Sequence, residues 1–276
     1  MADDRADETP EWPPAELDFS KPTIARAYDA LLGGKDNFAA DRALADQTAE
    51  FIPGLRESAV ENRKVLVRGI RYLARDAGMD QFLDLGSGLP TVENTHEVAQ
   101  RENPGARVVY VDIDPLVSVH GRALLADDHV TRVMTGDVRD PAAILSADEV
   151  KGFLDFSRPA VIMLVGMLHY LSPDVVDDVV AAYRDVLVPG SHLFITSLVD
   201  TGLPQQQELA RITRENLEEG WARTPAEIEA QFGDGFELVE PGVTYTALWR
   251  PDGPVDPGNL APGEQLGMAG IAVKRR

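Results

Sequence analysis

The feature that most constrains the fold is an alternation of short apolar segments with longer stretches of helical periodicity. Between residues 81 and 199, five segments rich in β-branched and aliphatic residues are separated by helical patterns. Strands that alternate with helices form a parallel sheet with helices on both faces, and ligands bind at the carboxyl ends of its strands. The predicted strands are QFLDLG (81–86), RVVYVD (107–112), RVMTGD (132–137), PAVIMLV (159–165) and SHLFITSLV (191–199).

A helix and two further strands are predicted after these five. Thr224 and Glu227 form a capping box with Pro225 at the first helical position, which predicts a helix that runs to about Phe232. The two closing strands are FELVEP (236–241) and GMAGIAVK (267–274).

The first 78 residues differ from the rest of the chain in composition and in hydrophobic pattern. Residues 1–18 are rich in acid and proline with little to bury, so they are predicted to be a disordered acidic arm. Residues 19–78 show helical periodicity, and Gly78 stands where a helix cap is expected. Residues 79–276 hold the strand and helix alternation, and we interpret them as the core domain.

The composition limits the class of partner. With 46 acidic and 26 basic residues the net charge is −20, which argues against nucleic acid and anionic membranes as partners. No cysteine is present, and the five histidines show no metal-ligand spacing, so no metal site is predicted. The acidic start is unlike a secretion signal and the longest apolar run, at 160–168, is too short to span a membrane. The sequence therefore predicts a cytoplasmic protein.

Polar residues follow the first four predicted strands at their carboxyl ends. Glycines let a backbone approach a ligand closely, an acid after the second strand suits ribose hydroxyls, and an acid after the third could accept from an adenine amine. Together these residues predict that an adenosine lies across the sheet edge. They are Asp84, Gly86, Ser87 and Gly88 after the first strand, Asp112 and Asp114 after the second, Asp137 and Val138 after the third, and Gly166 and His169 after the fourth.

Two classes of adenosine compound, dinucleotides and S-adenosylmethionine, differ in how well they suit this site. A dinucleotide requires a third glycine, but Thr91 stands at that position and Pro90 precedes it. The interval from Gly86 to Asp112 also exceeds the usual spacing of about 20 residues. S-adenosylmethionine carries an amine and no phosphate, so it suits the acidic loop better than NAD does. An NAD-dependent oxidoreductase is kept as the less favoured alternative.

Four of these segments resemble a known superfamily. FLDLGSG, VVYVDIDP, GDVRDP and LVPGSHLFITS look like the successive motifs of class I S-adenosylmethionine-dependent methyltransferases. The segments that begin at Pro22, Asp84 and Phe236 resemble a bacterial S-adenosyl methyltransferase family of unassigned substrate, and the likeness covers roughly residues 20–274. The resemblance implies a Rossmann-like α/β fold with a seven-stranded, mainly parallel sheet, helices on both faces and an N-terminal helical lid.

The resemblance also implies residue roles. Gly86 and Gly88 would flank the methionyl part with Ser87 between them, and Asp84 would support its amine directly or through water. Asp112 would hold the ribose hydroxyls. Asp137 and the Val138 backbone would contact the adenine. Pro90 departs from the usual third glycine of the motif, and Asp114 is equally explained as a helix N-cap or as a cofactor contact.

The segment LLGGKDNF, at residues 31–38, has two interpretations. It is not a phosphate-binding loop, because Asp29 stands where that motif needs glycine and a helix precedes it. It is either a helix-ending turn or part of a lid in which Lys35 and Asn37 reach the methionyl carboxylate and Tyr28 shields the cofactor.

His169 and the acceptor complete the sequence predictions. His169 could act as a general base, or it could simply be hydrogen-bonded to the loop backbone. Methyl transfer needs mainly in-line positioning, so the sequence predicts direct transfer to a small-molecule acceptor with S-adenosylhomocysteine as product. A non-catalytic S-adenosylmethionine-binding protein is the alternative.

Overall fold

The computed structural model describes residues 18–91, 93–124 and 129–276. The arm predicted for residues 1–18 lies outside these ranges except for its last residue. The helices are α1 (Ile24–Leu31), α2 (Ala39–Phe51), α3 (Leu55–Arg71), α4 (Thr95–Glu102), α5 (Pro115–Leu124), α6 (Pro141–Ser146), α7 (Val176–Asp185), α8 (Pro204–Leu217) and α9 (Pro225–Ala230). The strands are β1 (Gln81–Leu85), β2 (Arg107–Asp112), β3 (Thr131–Thr135), β4 (Val161–Val165), β5 (His192–Leu198), β6 (Phe236–Leu238), β7 (Thr244–Tyr245) and β8 (Gly267–Lys274).

The strands form one open, mainly parallel sheet in the order β3-β2-β1-β4-β5-β8-β6, and β7 pairs with β8 beside this path. Strands β1 to β5 are parallel, whereas β8 runs antiparallel to β5, β6 and β7. Each of the seven predicted strands is present. The two-residue β7 was not predicted, because a segment of that length is too short to show a strand pattern of apolar and polar residues.

Both faces of the sheet are buried, and the register of the strands explains why. Successive side chains of a strand point to opposite faces. Leu83 of β1 and Ile162 of β4 therefore pack in a cluster with Tyr183 of α7, while Phe82 and Met163 pack in a second cluster on the other face. The strands consequently read as continuous apolar runs, which is typical of a parallel sheet covered on two sides.

The helices of residues 19–78 occupy two different positions. Helix α3 packs on the sheet, since Ile70 belongs to the same cluster as Phe82 and Met163. Gly69 permits this approach, because a Cβ there would collide with the Phe194 ring of β5. Helices α1 and α2 instead line a cavity together with residues at the carboxyl ends of the strands. Within residues 18–91, 93–124 and 129–276, no helix is long and apolar enough to cross a membrane.

Candidate functional site

A cavity of about 760 Å³ lies between the carboxyl ends of the strands and helices α1, α2, α3 and α8. This volume falls within the range of about 300–1,000 Å³ that is usual for small-molecule sites. Most residues predicted from the sequence line it, but Lys35 and Asn37 do not. The predicted residues in the lining are Tyr28, Asp84, Gly86, Ser87, Gly88, Asp112, Asp114, Asp137, Val138, Gly166 and His169.

The loop after β1 needs glycine at two positions for different reasons. Gly86 has φ +69°, and a Cβ on it would collide with the side chain of Met167 after β4. Gly88 has the same φ but faces open space, so only its backbone conformation requires glycine. Between them, the hydroxyl of Ser87 is buried and has no hydrogen-bond partner in the described part of the chain. A buried, unpaired hydroxyl is a group that a bound ligand could satisfy.

Asp84, at the end of β1, is a buried acid with an unusual pKa. Its Oδ2 accepts a hydrogen bond from the Thr95 hydroxyl at 2.6 Å. Burial raises the pKa of Asp84 to about 6, although the Thr95 hydrogen bond and the positive charge of Arg63 lower it in part. A donor from a ligand would stabilise the ionised form further.

Asp112, at the end of β2, joins two loops of the site. Its Oδ2 accepts from the Gly88 N–H at 2.8 Å and its Oδ1 accepts from the Asp114 N–H at 2.9 Å. Burial nevertheless raises the pKa of Asp112 to about 6. The carboxyl group is thus fixed in orientation and retains lone pairs for a ligand.

Asp114 uses both oxygens within the protein. Its Oδ1 accepts from the Leu116 N–H at 2.9 Å, which is N-cap geometry for α5. Its Oδ2 accepts from the Thr23 hydroxyl at 2.7 Å. Arg26, which is fully buried, lies 3.4 Å from the Asp41 carboxylate and 3.9 Å from that of Asp114. This buried cluster ties α1 and α2 to the loop after β2.

Asp137, after β3, is held by an arginine that sequence reasoning missed. Arg139 donates from Nη2 to Asp137 Oδ2 at 2.7 Å and from Nη1 to Glu219 Oε1 at 3.1 Å. Burial alone would raise the pKa of Asp137, but the hydrogen bonds and charge of Arg139 lower it overall. Burial raises the pKa of Glu219. The neighbouring Val138 carbonyl accepts from the Tyr183 hydroxyl at 3.0 Å.

His169 is buried after β4, and its tautomer follows from its contacts. Its Nδ1 accepts from the Leu198 backbone N–H at 3.2 Å. Burial and the nearby charge of Arg223 lower the pKa of His169 to about 3, so the ring is neutral at pH 7. A neutral ring that accepts at Nδ1 carries its proton on Nε2. His169 therefore presents a hydrogen-bond donor, whereas a general base needs an acceptor.

A chain of hydrogen bonds crosses the cavity wall from α1 to β5. The Tyr28 hydroxyl donates to the Ala59 carbonyl at 3.0 Å and accepts from Asn62 Nδ2 at 3.2 Å. The Thr196 hydroxyl donates to Asn62 Oδ1 at 2.7 Å and accepts from the Gly166 N–H at 2.7 Å. These bonds join α1, α3, β5 and the loop after β4.

The GGKDNF segment is a turn held together by Asp29. The Asn37 amide donates to Asp29 Oδ2 at 2.7 Å and to the Gly34 carbonyl at 3.0 Å, while its oxygen accepts from Arg42 at 2.9 Å. Lys35 is exposed and outside the cavity lining. The structure thus gives Asn37 a role within the turn and does not bring Lys35 to the other predicted residues.

Sequence reasoning missed Asn62 and Arg63, which line the cavity from α3. The sequence does contain a pattern that could have identified these two residues. Ala59 and Leu66 flank the pair at helical spacing, so two polar residues stand on an otherwise apolar helix face.

Across residues 18–91, 93–124 and 129–276, no three His, Asp or Glu residues are grouped to hold a metal ion.

Comparison with known proteins adds independent evidence. A family model described as S-adenosyl methyltransferase matches residues 10–275. A crystal structure from Thermobifida fusca YX, provisionally described as a methyltransferase, is 77% identical, covers 96% of this chain and 100% of its own, and has a TM-score of 0.94. A DUF574 family protein from Streptomyces avermitilis MA-4680 is 34% identical, with coverage of 93% and 99% and a TM-score of 0.86. No curated protein matches the chain.

A more distant structure identifies the fold. Human N-acetylserotonin methyltransferase, solved in complex with SAM, is 17% identical, with coverage of 93% of this chain and 64% of its own and a TM-score of 0.51. At that identity the likeness shows the fold alone. It confirms the predicted Rossmann-like class I methyltransferase fold.

Proposed function

The chain belongs to the S-adenosyl methyltransferase family and is a methyltransferase, and on that premise we propose that it binds S-adenosylmethionine in this cavity. We propose further that it transfers the methyl group directly to a small-molecule acceptor and releases S-adenosylhomocysteine. The acidic net charge of −20 argues against a nucleic-acid acceptor.

One observation carries this proposal: two buried carboxyl groups, Asp84 and Asp112, line the same cavity, and burial raises the pKa of each to about 6. A buried acid is stabilised by donors, and S-adenosylmethionine offers an ammonium group and two ribose hydroxyls. The hydroxyl of Ser87, in the loop after β1, is buried and unpaired in the described part of the chain. It can contact the methionyl part.

Residues of the cavity lining support each proposed contact. Asp112 would accept from the ribose hydroxyls, and Asp84 would accept from the amine. Asp137 and Val138 would contact the adenine. Tyr28 and Gly166 would border the reacting centre from α1 and from the loop after β4.

The methionyl carboxylate needs a cation or a donor. Lys35 and Asn37 lie outside the cavity, so we propose Arg63 for this role. Arg63 lines the cavity from α3, and its charge acts on Asp84. An arginine at that place can pair with a carboxylate while Asp84 pairs with the adjacent amine.

The chemistry asks for little beyond positioning. When bound, S-adenosylmethionine supplies a methyl group that its sulfonium already makes electrophilic. The chain therefore has to exclude water and align the acceptor, and α1 and α2, which line the cavity, would do so as a lid. The Nε2–H of His169 would contribute as a hydrogen-bond donor.

Isothermal titration of the wild type with S-adenosylhomocysteine tests the proposal. We expect saturable binding, and we expect no binding of NADH under the same conditions. No heat of binding at millimolar S-adenosylhomocysteine would overturn the proposal. If S-adenosylmethionine binds but no acceptor in a broad panel releases S-adenosylhomocysteine, the alternative of a non-catalytic binding protein is favoured.

A further inference from the structure

The part of the cavity away from the acidic loops has an apolar wall. Four leucines that come from α1, α3, the end of β5 and α8 belong to one hydrophobic cluster, and all of them line the cavity. We refer to Leu31, Leu55, Leu198 and Leu209 as the leucine wall. None of these four leucines takes part in the cofactor contacts proposed above.

The polar lining residues that α2, α8 and β5 place beside the leucine wall carry no charge, and Arg56, which donates to the Leu31 carbonyl at 3.4 Å, lies outside the lining. In the described lining, α2 contributes Thr48 and two apolar residues, and α8 contributes Thr213 and Asn216 besides two leucines. Strand β5 adds Thr196 and Ser197 together with Leu198. The charged lining residues come from other segments: residues 18–26, the carboxyl ends of β1 and β2, the loops after β2 and β3, Arg63, and residues 218–219.

This separation of charge constrains what can bind there. An ionised group that leaves water for a site without an opposite charge costs several kcal/mol, and it is rejected relative to a neutral analogue. An uncharged apolar molecule gains free energy in proportion to the apolar area that it buries. Hydroxyl and amide side chains such as Thr48 and Asn216 can still orient one polar group of such a molecule.

We propose that the leucine wall binds the methyl acceptor, and that the acceptor is an uncharged, largely apolar small molecule. This inference rests on the proposed function, because it assigns the acidic loops to S-adenosylmethionine. The cavity of about 760 Å³ is then shared between the cofactor at the strand ends and the acceptor between α1, α2, α3 and α8.

A matched pair of probes tests the inference. The protein is first saturated with S-adenosylhomocysteine and then titrated at pH 7 with 2-naphthol, which is neutral, and with 2-naphthoate, which has the same rings and a negative charge. We expect 2-naphthol to bind at least about tenfold more tightly than 2-naphthoate, which corresponds to about 1.4 kcal/mol. No binding of 2-naphthol, or equal or tighter binding of 2-naphthoate, overturns the inference.

A pair of variants locates the binding. Leu31→Trp fills the space beside the leucine wall, so we expect at least about tenfold weaker 2-naphthol binding with unchanged affinity for S-adenosylhomocysteine. Leu124→Trp is the control, since Leu124 is an exposed residue of α5 outside the lining. Unchanged 2-naphthol affinity in Leu31→Trp overturns the inference.

The two proposals fail in different ways. If Leu31→Trp does not bind S-adenosylhomocysteine, the half-buried Leu198 is replaced instead, as Leu198→Trp, and the same outcomes apply. If the wild type binds S-adenosylhomocysteine but no 2-naphthol, only the acceptor inference is lost. If the wild type binds no S-adenosylhomocysteine, the proposed function itself is lost.

Discussion

The two ends of the cavity differ in charge and in how the chain builds them. The strand-end side carries Asp84 and Asp112 at the carboxyl ends of β1 and β2, and Asp137 in the turn after β3. The opposite side is built by α2, α8 and the end of β5 and presents no charge in its described lining. Sheet topology alone brings the first set together, whereas the second depends on how helices pack. One end of the cavity is therefore specified by local motifs and the other by tertiary contacts.

The largest expected effect is at the acidic end. Asp112→Ala removes the acceptor that we assign to the ribose hydroxyls and releases the Gly88 N–H. Charge-assisted hydrogen bonds contribute about 1.5–3 kcal/mol, so the affinity for S-adenosylhomocysteine should fall by about 10–100-fold. Isothermal titration measures this. Asp174→Ala, which changes an exposed acid outside the cavity, should bind like the wild type, and equal affinity in both variants would contradict the assignment.

The pH dependence of binding sharpens the same contrast. The pKa values of Asp84 and Asp112 are raised to about 6, above the unfolded value of 3.8, so these groups favour the folded unliganded protein at low pH and this contribution is lost as pH rises from about 4 to 6. A donor ligand prefers their ionised forms. Affinity for S-adenosylhomocysteine should therefore be highest above pH 6. Below pH 6 it should fall about tenfold per pH unit for each carboxyl group that has to lose a proton on binding.

Binding of 2-naphthol provides the control for this pH series. It should change little between pH 5 and 7, because α2, α8 and β5 contribute no Asp, Glu or His to the described lining. Titrations of both ligands across this range make the comparison. A flat profile for S-adenosylhomocysteine would contradict the role of the two acids.

The hydrogen-bond chain between α3 and β5 should affect stability. Thr196→Val conserves shape but leaves Asn62 Oδ1 without its donor and removes an acceptor from the Gly166 N–H. A buried group left unpaired costs about 1–3 kcal/mol, which urea denaturation would detect as a lower free energy of unfolding. Thr201→Val removes a 3.1 Å hydrogen bond to Gln206 Oε1 at an exposed position, and that oxygen keeps the Thr201 N–H as a donor, so the free energy should change by less than about 0.5 kcal/mol. Equal effects would show that the chain of bonds is not important to the fold.

The smallest effect is expected at Lys35. Its side chain is exposed and outside the cavity, so Lys35→Ala should leave the affinity for S-adenosylhomocysteine within about twofold of the wild type. Arg63→Ala, at the position proposed for the methionyl carboxylate, should weaken binding much more. Isothermal titration ranks the two, and the reverse order would favour the interpretation of GGKDNF as a lid over the cofactor.

The sequence predicted the sheet and most of the acidic end, because short apolar strands followed by Gly and Asp residues are local patterns. It could not predict contacts between distant segments. The Arg139–Glu219 pair spans 80 positions, and the bond from Thr23 to Asp114 spans 91. Helix α8 was not predicted, although it forms much of the uncharged side.

Single residues show the same limit of sequence reasoning. The tautomer of His169 depends on the Leu198 N–H, which lies on a neighbouring strand. The amide of Asn37 is engaged by Asp29 and Arg42, which folding brings to it from both sides of the turn. The residue type alone tells which hydrogen-bond donors and acceptors a side chain has. Its contacts in the folded protein determine whether those groups remain available to a ligand.

The position of β8 has a consequence for how a cell makes this protein. β8 lies inside the sheet, between β5 and β6, yet it is synthesised after both of them. Since synthesis proceeds from the N-terminus, one edge of β5 stays unpaired on the ribosome until residues 267–274 emerge. An unpaired strand edge is a template for association with other chains. A premature stop codon shortly before residue 267 should therefore yield an aggregating product, even though every residue proposed for the cofactor site would be present.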